Sequence, residues 1–223
     1  MTELEAIQKR HSVRKYLEKP ISEAHLAALQ EEIDACNEEG GLNIQLITEE
    51  PKAFSCFLAK YGKFSGVRNY ICMIGPKTDD LDLKCGWYGE RLVLKAQQLG
   101  LNTCWVGLSY KKIDGTYKLG PAETLRLVIS IGYGVTQGKA RKSKEPEAVM
   151  DAVEPIPLWF YNGINAALLA PTAINQQKFI FVMHETGVVS AKCSRAPYAK
   201  VDLGIAKYHF MVGAGKNNFR WAE

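Results

Sequence analysis

Residues 80–108 read DLDLKCGWYGERLVLKAQQLGLNTCWVGL, and the fold turns on how this stretch divides. The first part, to Gly100, is an amphipathic run and the longest helix of the chain, with the glycine as its stop. TCWVGL, residues 103–108, follows as a short extended piece. A helix that passes straight into a strand sets the two element types in alternation, and the flanking sequence continues the pattern.

Toward the N-terminus, TELEAIQKR opens with a capping box, Thr2 and Glu5, which predicts a short helix. RHSVRKYLEKPI runs extended toward Pro20, which disfavours helix before it. SEAHLAALQEEIDACNEEGG reads as a helix capped by Ser22 and ended by Gly40 and Gly41. LNIQLIT alternates and reads as a strand, PKAFSCFLAKYG as a short helix starting at Pro51, and RNYICMIG as a buried strand. Toward the C-terminus, LRLVISIGYG is another buried strand, and VTQGKARKSKEPEAVM is a polar, basic surface loop leading to a short helix. PLWFYNGINAALL predicts a helix, KFIFVM a strand and VDLGIAKYHFMVGAG a final helix, with GVVSAKCS between the last two. The crossovers are irregular. That favours an α+β fold, a mixed sheet covered by helices, over a purely parallel doubly wound sheet.

CGWYGERLVLKAQQLG (85–100) and LGIAKYHFMVGAG (203–215) share a glycine near the helix start, an amphipathic run and a glycine stop. This echo is consistent with two related halves in one domain spanning residues 1–223. The basic loop at 136–146 is the candidate half boundary.

At 223 residues and 47% hydrophobic content the chain can bury a substantial core. It has no apolar run of membrane-spanning length, and its charged start lacks a secretion signal, so a cytoplasmic location is expected. The six cysteines have no C-x-x-C spacing and most lie in apolar runs, as buried reduced thiols do; the four histidines are scattered, so no metal is expected. A formal charge of +4 is too mild to argue nucleic-acid binding.

Three segments carry the chemistry. In RHSVRK, Arg10, Ser12 and Arg14 alternate, and alternation in an extended chain puts them on one face. Two guanidiniums and a hydroxyl make a receiver for phosphate, although basic runs are more often solvated surface. In GKARKSK (138–144), Lys139 and Arg141 alternate in the same way and could close on the same anion. In APTAINQQKF (170–179), Pro171 ends a helix, Thr172 offers a hydroxyl, and Asn175 and Gln177 offer amides on one side of an extended chain. Such a set suits a flat heterocycle with donors and acceptors along its edge. Capping and turn chemistry account for one or two of these residues but not obviously for the amide pair. IGYGVTQG is glycine-rich after a strand, but its G-x-G-x-x-x-G spacing and basic continuation do not match a dinucleotide fingerprint.

RHSVRKY resembles the first FMN-phosphate motif of the nitroreductase family, and APTAINQQKF resembles that family's A-P-S-x-x-N-x-Q-P-W motif. ERLVLKAQQLGLNTCWVGL is similar to its central helix and following loop, and LRLVISIGYG with KARK to its closing strand and basic residues. The resemblance implies a three-layer α-β-α sandwich that binds FMN non-covalently between two nitroreductase-like halves. It implies that Arg10, His11, Ser12 and Arg14 hold the phosphate, ribityl chain and pyrimidine edge. Lys139 and Arg141 would complete the phosphate site, and Pro171, Thr172, Asn175 and Gln177 would line the ribityl and ring. Val106, Gly107 and Leu108 would pass near the flavin N5 through backbone groups. No side chain would act as a catalytic nucleophile, since the flavin carries the redox chemistry. NADH or NADPH would be the co-substrate, and a nitroaromatic or quinone-like small molecule the electron acceptor.

The sequence departs from the family pattern in two respects. The A-P-S-type motif stands at 170 rather than after the second helix, as in a divergent single-chain subgroup, which leaves monomer and homodimer both open. Within it, Thr172 and Ala173 replace two serines and Lys178 replaces the proline. The competing reading is a flavin- or nucleotide-binding protein without redox turnover. A nucleic-acid binder would instead show affinity that falls steeply with salt.

Overall fold

Thr2 and Glu5 open the first helix as the capping box requires: the Thr2 amide donates to Glu5 Oε2 at 2.9 Å, and the Glu5 amide to Thr2 Oγ1 at 3.2 Å. Helix α1 covers Glu3–Lys9. This computed structural model describes residues 1–185 and 187–222. The chain divides into two compact units. The amino-terminal unit comprises Lys9–Leu81 and Arg91–Ala140; the carboxy-terminal unit comprises Met1–Gln8, Asp82–Glu90 and Arg141–Glu223.

In the amino-terminal unit, Ser22 caps α2 (Glu23–Gly40) by accepting from the His25 amide, and Gly41 closes it at φ 61°. The unit's sheet contains β1 (Gln45–Ile47), β2 (Asn69–Pro76), β3 (Asn102–Val106) and β4 (Glu123–Gly132), in the order β1-β2-β4-β3. Every pairing in it is antiparallel. The two central strands are nearly continuous apolar runs, as strands buried on both faces should be. The extended 10–16 strip lies along β3: the Val13 amide donates to Thr103 O at 3.0 Å, and Ser12 pairs with Thr103 in a parallel bridge. Tyr16 anchors the strip, its hydroxyl donating to Val13 O at 2.7 Å and meeting Ser130 Oγ at 2.8 Å. The expected helix at PKAFSCFLAKYG is instead two pieces, a 3₁₀ turn at Lys52–Phe54 and α3 at Phe57–Tyr61. Phe54 is buried against Phe64 and Tyr70, and Cys56 is extended, so the chain must swing out before it can coil again.

The carboxy-terminal unit holds a mixed sheet in the order β5-β6-β7-β8. Its strands are β5 (Met150–Asp151), β6 (Phe179–Glu185), β7 (Val188–Cys193) and β8 (Arg220–Trp221). The outer pairings are parallel and the central one antiparallel. The two-residue strands β5 and β8 escaped the sequence reading because two residues carry no periodicity. Helices α5 (Leu158–Leu168) and α6 (Ala199–Ala214) accompany this sheet, with the first half of α4 (Leu81–Gln98).

Helix α6 is buried almost all round. It meets the start of α4 tightly, and the two glycines of the sequence echo make the contact. A Cβ on Gly86 would lie 2.1 Å from Val201 O, and one on Gly204 would lie 2.2 Å from Leu83 O. On another side of α6, Gly213 admits Ala166 of α5 and Gly163 of α5 admits the Phe210 ring. Between these crossings His209, fully buried, places Nδ1 3.0 Å from Ala166 O and Nε2 2.8 Å from Glu90 Oε1. The carbonyl can only accept, so Nδ1 carries a proton. Nε2 and Glu90 then share one, and the pair adds no net charge to the core.

Gly204→Ala should lower the urea midpoint, with a loss of about 2 kcal/mol from overpacking. Alanine's higher helix propensity acts the other way by up to about 1 kcal/mol. An unchanged or higher midpoint would show that the helices separate freely and that the glycine contact sets nothing.

Candidate functional site

The residues singled out from the sequence fall in both units, and each set is described within its own. In the amino-terminal unit, the strip along β3 carries Arg10, His11, Ser12 and Arg14. Arg10 is only 6% exposed, and its Nη1 is buried with no hydrogen-bond partner among the described residues. A buried donor on a cation is costly when left unpaired, which makes this atom a candidate receiver for an anion. Ser12 hydrogen-bonds the buried Cys104 thiol. Burial pushes that thiol up, while the positive charges of Arg14 and Arg10 and the Ser12 bond pull it back. Both guanidiniums thus contribute to the electrostatics of the Cys104 thiol.

Arg14 is exposed and lines a cleft of about 380 Å³ together with Tyr61, Phe64, Trp105, Val106 and Gly107. Its guanidinium lies 5.9 Å from the Phe64 ring centroid. Val106 is buried at the end of β3, Gly107 opens onto the cleft, and Leu108 stands 74% exposed with its carbonyl accepting from the Tyr110 amide. Gly138, at φ 79°, packs against His11, and a Cβ there would lie 2.6 Å from that of His11. This brings the exposed Lys139 next in chain to the strip. The 10–14 strip, the 106–108 loop and the start of the basic loop thus share one unit.

In the carboxy-terminal unit, the expectation of an extended 171–177 segment is corrected. Pro171 is buried, and Ala173–Asn175 form a 3₁₀ turn. Ile174, Asn175 and Gln177 sit at φ 48°, 58° and 44°, left-handed values that non-glycine residues seldom adopt. The amides consequently do not lie along one free edge. Gln177 is buried; its Oε1 accepts from the Lys144 amide at 2.9 Å and its Nε2 donates to Leu168 O at 3.1 Å. Asn175 Nδ2 donates to Lys142 O at 2.9 Å, and Thr172 Oγ1 accepts from the Gln177 amide at 3.2 Å.

Arg141 also has a task that its spacing did not reveal. Its guanidinium donates to Leu168 O and Ala170 O, the carbonyls left open at the end of α5, and Ser143 Oγ adds a bond to Leu168 O. Sequence reading missed Gln176 and Asp202. Gln176 Nε2 donates to Asp202 Oδ2 at 2.7 Å and to Pro197 O at 3.0 Å, and the Ala173 amide donates to the Asp202 carboxylate. No spacing rule links a helix carboxylate to a turn 26 residues earlier in the chain. Among the described residues no helix is long and apolar enough to cross a membrane, and no group of three His, Cys, Asp or Glu could hold a metal.

The fold is α+β of the nitroreductase kind. A family model described as "Putative TM nitroreductase" matches residues 3–214, and the chain belongs to that family. Solved structures agree with it in fold. A "putative nitroreductase" from Thermotoga maritima is 22% identical, covers 97% of this chain and 85% of its own, and superposes with a TM-score of 0.65. One from Desulfovibrio desulfuricans, described as in complex with FMN, is 18% identical over 70% of this chain and 99% of its own, with a TM-score of 0.54. The NfrA1 nitroreductase of B. subtilis is 11% identical over 70% and 74%, with a TM-score of 0.52. No curated protein matches the sequence.

If the Arg10 strip is an anion site, inorganic phosphate at ten times its Kd should stabilise the wild-type protein by about 1.4 kcal/mol. Arg10→Met should abolish that increment, read as a shift in Tm. An equal shift in both proteins would place the anion elsewhere.

Proposed function

We propose that the protein is an FMN-dependent oxidoreductase that uses NADH or NADPH to reduce a small, electron-poor acceptor of nitroaromatic or quinone type. The observation that carries this reading is the buried, unpartnered Arg10 Nη1 beside Ser12 and Arg14, in a chain of the nitroreductase family. The 10–14 strip supplies donors suited to the cofactor's phosphate. Arg10 supplies a desolvated donor for phosphate, with Lys139 from the same unit and Arg141 from the basic loop as further cations. His11 and Ser12 belong with the ribityl end and Arg14 with the pyrimidine edge. Pro171, Thr172, Asn175 and Gln177 are the proposed contacts of the ribityl and ring.

Bound FMN supplies the two-electron redox chemistry. The chain's own part is binding, orientation and electrostatics. Arg14 puts a full positive charge in a cleft walled by Phe64 and Trp105, where it favours any occupant that gains negative charge. Gly107 leaves the cleft wall bare of side chain, so backbone there can approach a flat ring. No carboxylate lines this cleft among the described residues, and neither proton transfer nor a covalent bond to protein is required of it. The expected location is the cytoplasm, and the expected partners are small molecules, with monomer and homodimer both compatible.

Purified protein should show the twin near-ultraviolet and blue absorbance bands of a flavin, bleached anaerobically by NADH or NADPH. Bands without bleaching favour a flavin-binding protein without turnover, and a colourless protein that takes up no added FMN sinks the reading. Arg10→Ala should weaken FMN at least tenfold more than riboflavin, because a charge-assisted bond to phosphate is lost. Equal weakening of both would remove Arg10 from the phosphate.

A further inference from the structure

The 172–177 turn is the most strained backbone in the carboxy-terminal unit. Three of its six residues are non-glycine and left-handed, and one of them, Ile174, is β-branched and 97% exposed. Strain of this kind costs on the order of 1–3 kcal/mol per residue and persists only where the surroundings over-determine it. Part of the restraint comes from the basic loop, through Asn175 and Gln177. Thr172 Oγ1, Leu168 O and Pro197 O add further bonds, and a buried carboxylate on α6 ties both flanks of the left-handed pair Ile174–Asn175. Asp202 takes the Ala173 amide on both oxygens, at 3.0 and 3.2 Å, and the Gln176 amide on Oδ2 at 2.7 Å. It therefore holds the residue before Ile174 and the residue after Asn175.

We propose that Asp202 is a positioning residue: its ionised carboxylate sets the left-handed shape in which the 172–177 turn meets the flavin. The proposal rests on the flavin reading of this turn. Asp202 does not touch the proposed cofactor contacts through its own atoms; it acts through the backbone of Ala173 and the side chain of Gln176.

The carboxylate is a conditional brace. Burial raises the Asp202 carboxyl to about 6, against the bonds from Gln176 and Ala173, which favour the ion. The Cys193 thiol on β7 is a second titratable group nearby: burial and the Asp202 charge raise it, while Lys200 lowers it. Two consequences run in opposite directions. A carboxyl raised above its unfolded value favours the folded state in its protonated form. Its share of global stability is therefore full below about pH 4 and falls as pH rises through about 6. The turn gains its charged acceptor over the same interval, so it tightens as pH rises. A carboxylate that merely filled space would move neither.

The test compares wild type with Asp202→Asn, using FMN as the probe, from pH 5.0 to 7.5. FMN phosphate itself titrates near pH 6, so the neutral asparagine variant is the baseline. At pH 7.5 the wild type should bind FMN about tenfold more tightly than the variant, as loss of a hydrogen bond to a charged group predicts. At pH 5.0 the two curves should converge. Amide hydrogen exchange on the FMN-free wild type gives a second readout that requires no variant. Protection at Ala173 should fall several-fold from pH 7.5 to 5.0 after correction for intrinsic rates. Parallel binding curves, or protection at Ala173 that does not change with pH, would overturn the proposal. Failure of the wild type to take up FMN at any pH would overturn the flavin reading instead, and the exchange measurement would still decide whether Asp202 sets the turn.

Discussion

The close approach of α4 and α6 at Gly86 and Gly204 is the constraint on which the carboxy-terminal unit is built. Carbonyl oxygens stand where side chains would otherwise be, so the helices lie nearer than any pair of larger residues allows. That depth carries His209 to Glu90 and to the carbonyl at the end of α5, and it buries Phe210 among Phe160, Phe181 and Trp221. It also fixes Asp202, half a turn before Gly204, under the 172–177 turn. A contact between two residues without side chains thus reaches, through one helix, the segment proposed to meet the cofactor.

Much of this architecture is legible in the sequence because it is local. The Thr2–Glu5 box, the Ser22 cap, the Gly41 and Gly100 stops and the apolar runs of β2 and β4 each depend on a few adjacent residues, and the helices and long strands fall where those signals place them. The echo between residues 85–100 and 203–215 pointed to Gly86 and Gly204 without saying that they touch. Strands of two residues, and the break at Cys56 inside an expected helix, have no such signal. They follow from partners far away in sequence.

The candidate site divides along the same line. The 10–14 strip does run extended, with Ser12 bridged to Thr103 of β3, as its alternation led one to expect. Alternation could not show that Arg10 would be buried and Arg14 open to the cleft. The polar cluster at 172–177 was visible as a composition, but its geometry was not. Left-handed values at Ile174, Asn175 and Gln177 run against residue preference, and bonds from Asp202, Lys142, Lys144 and Leu168 hold the turn that carries them. Local rules fail where distant groups hold the backbone in a shape it would not choose.

The basic loop shows what this arrangement means for an arriving ligand. Arg141 and Ser143 are tied to the end of α5, and Lys144 bonds Gln177 by both its amide and its Nζ. Loops of this composition usually lose much of their freedom only on meeting a partner. Here that freedom is lost when the chain folds. A ligand of the kind proposed above would therefore lose less binding energy to ordering this segment.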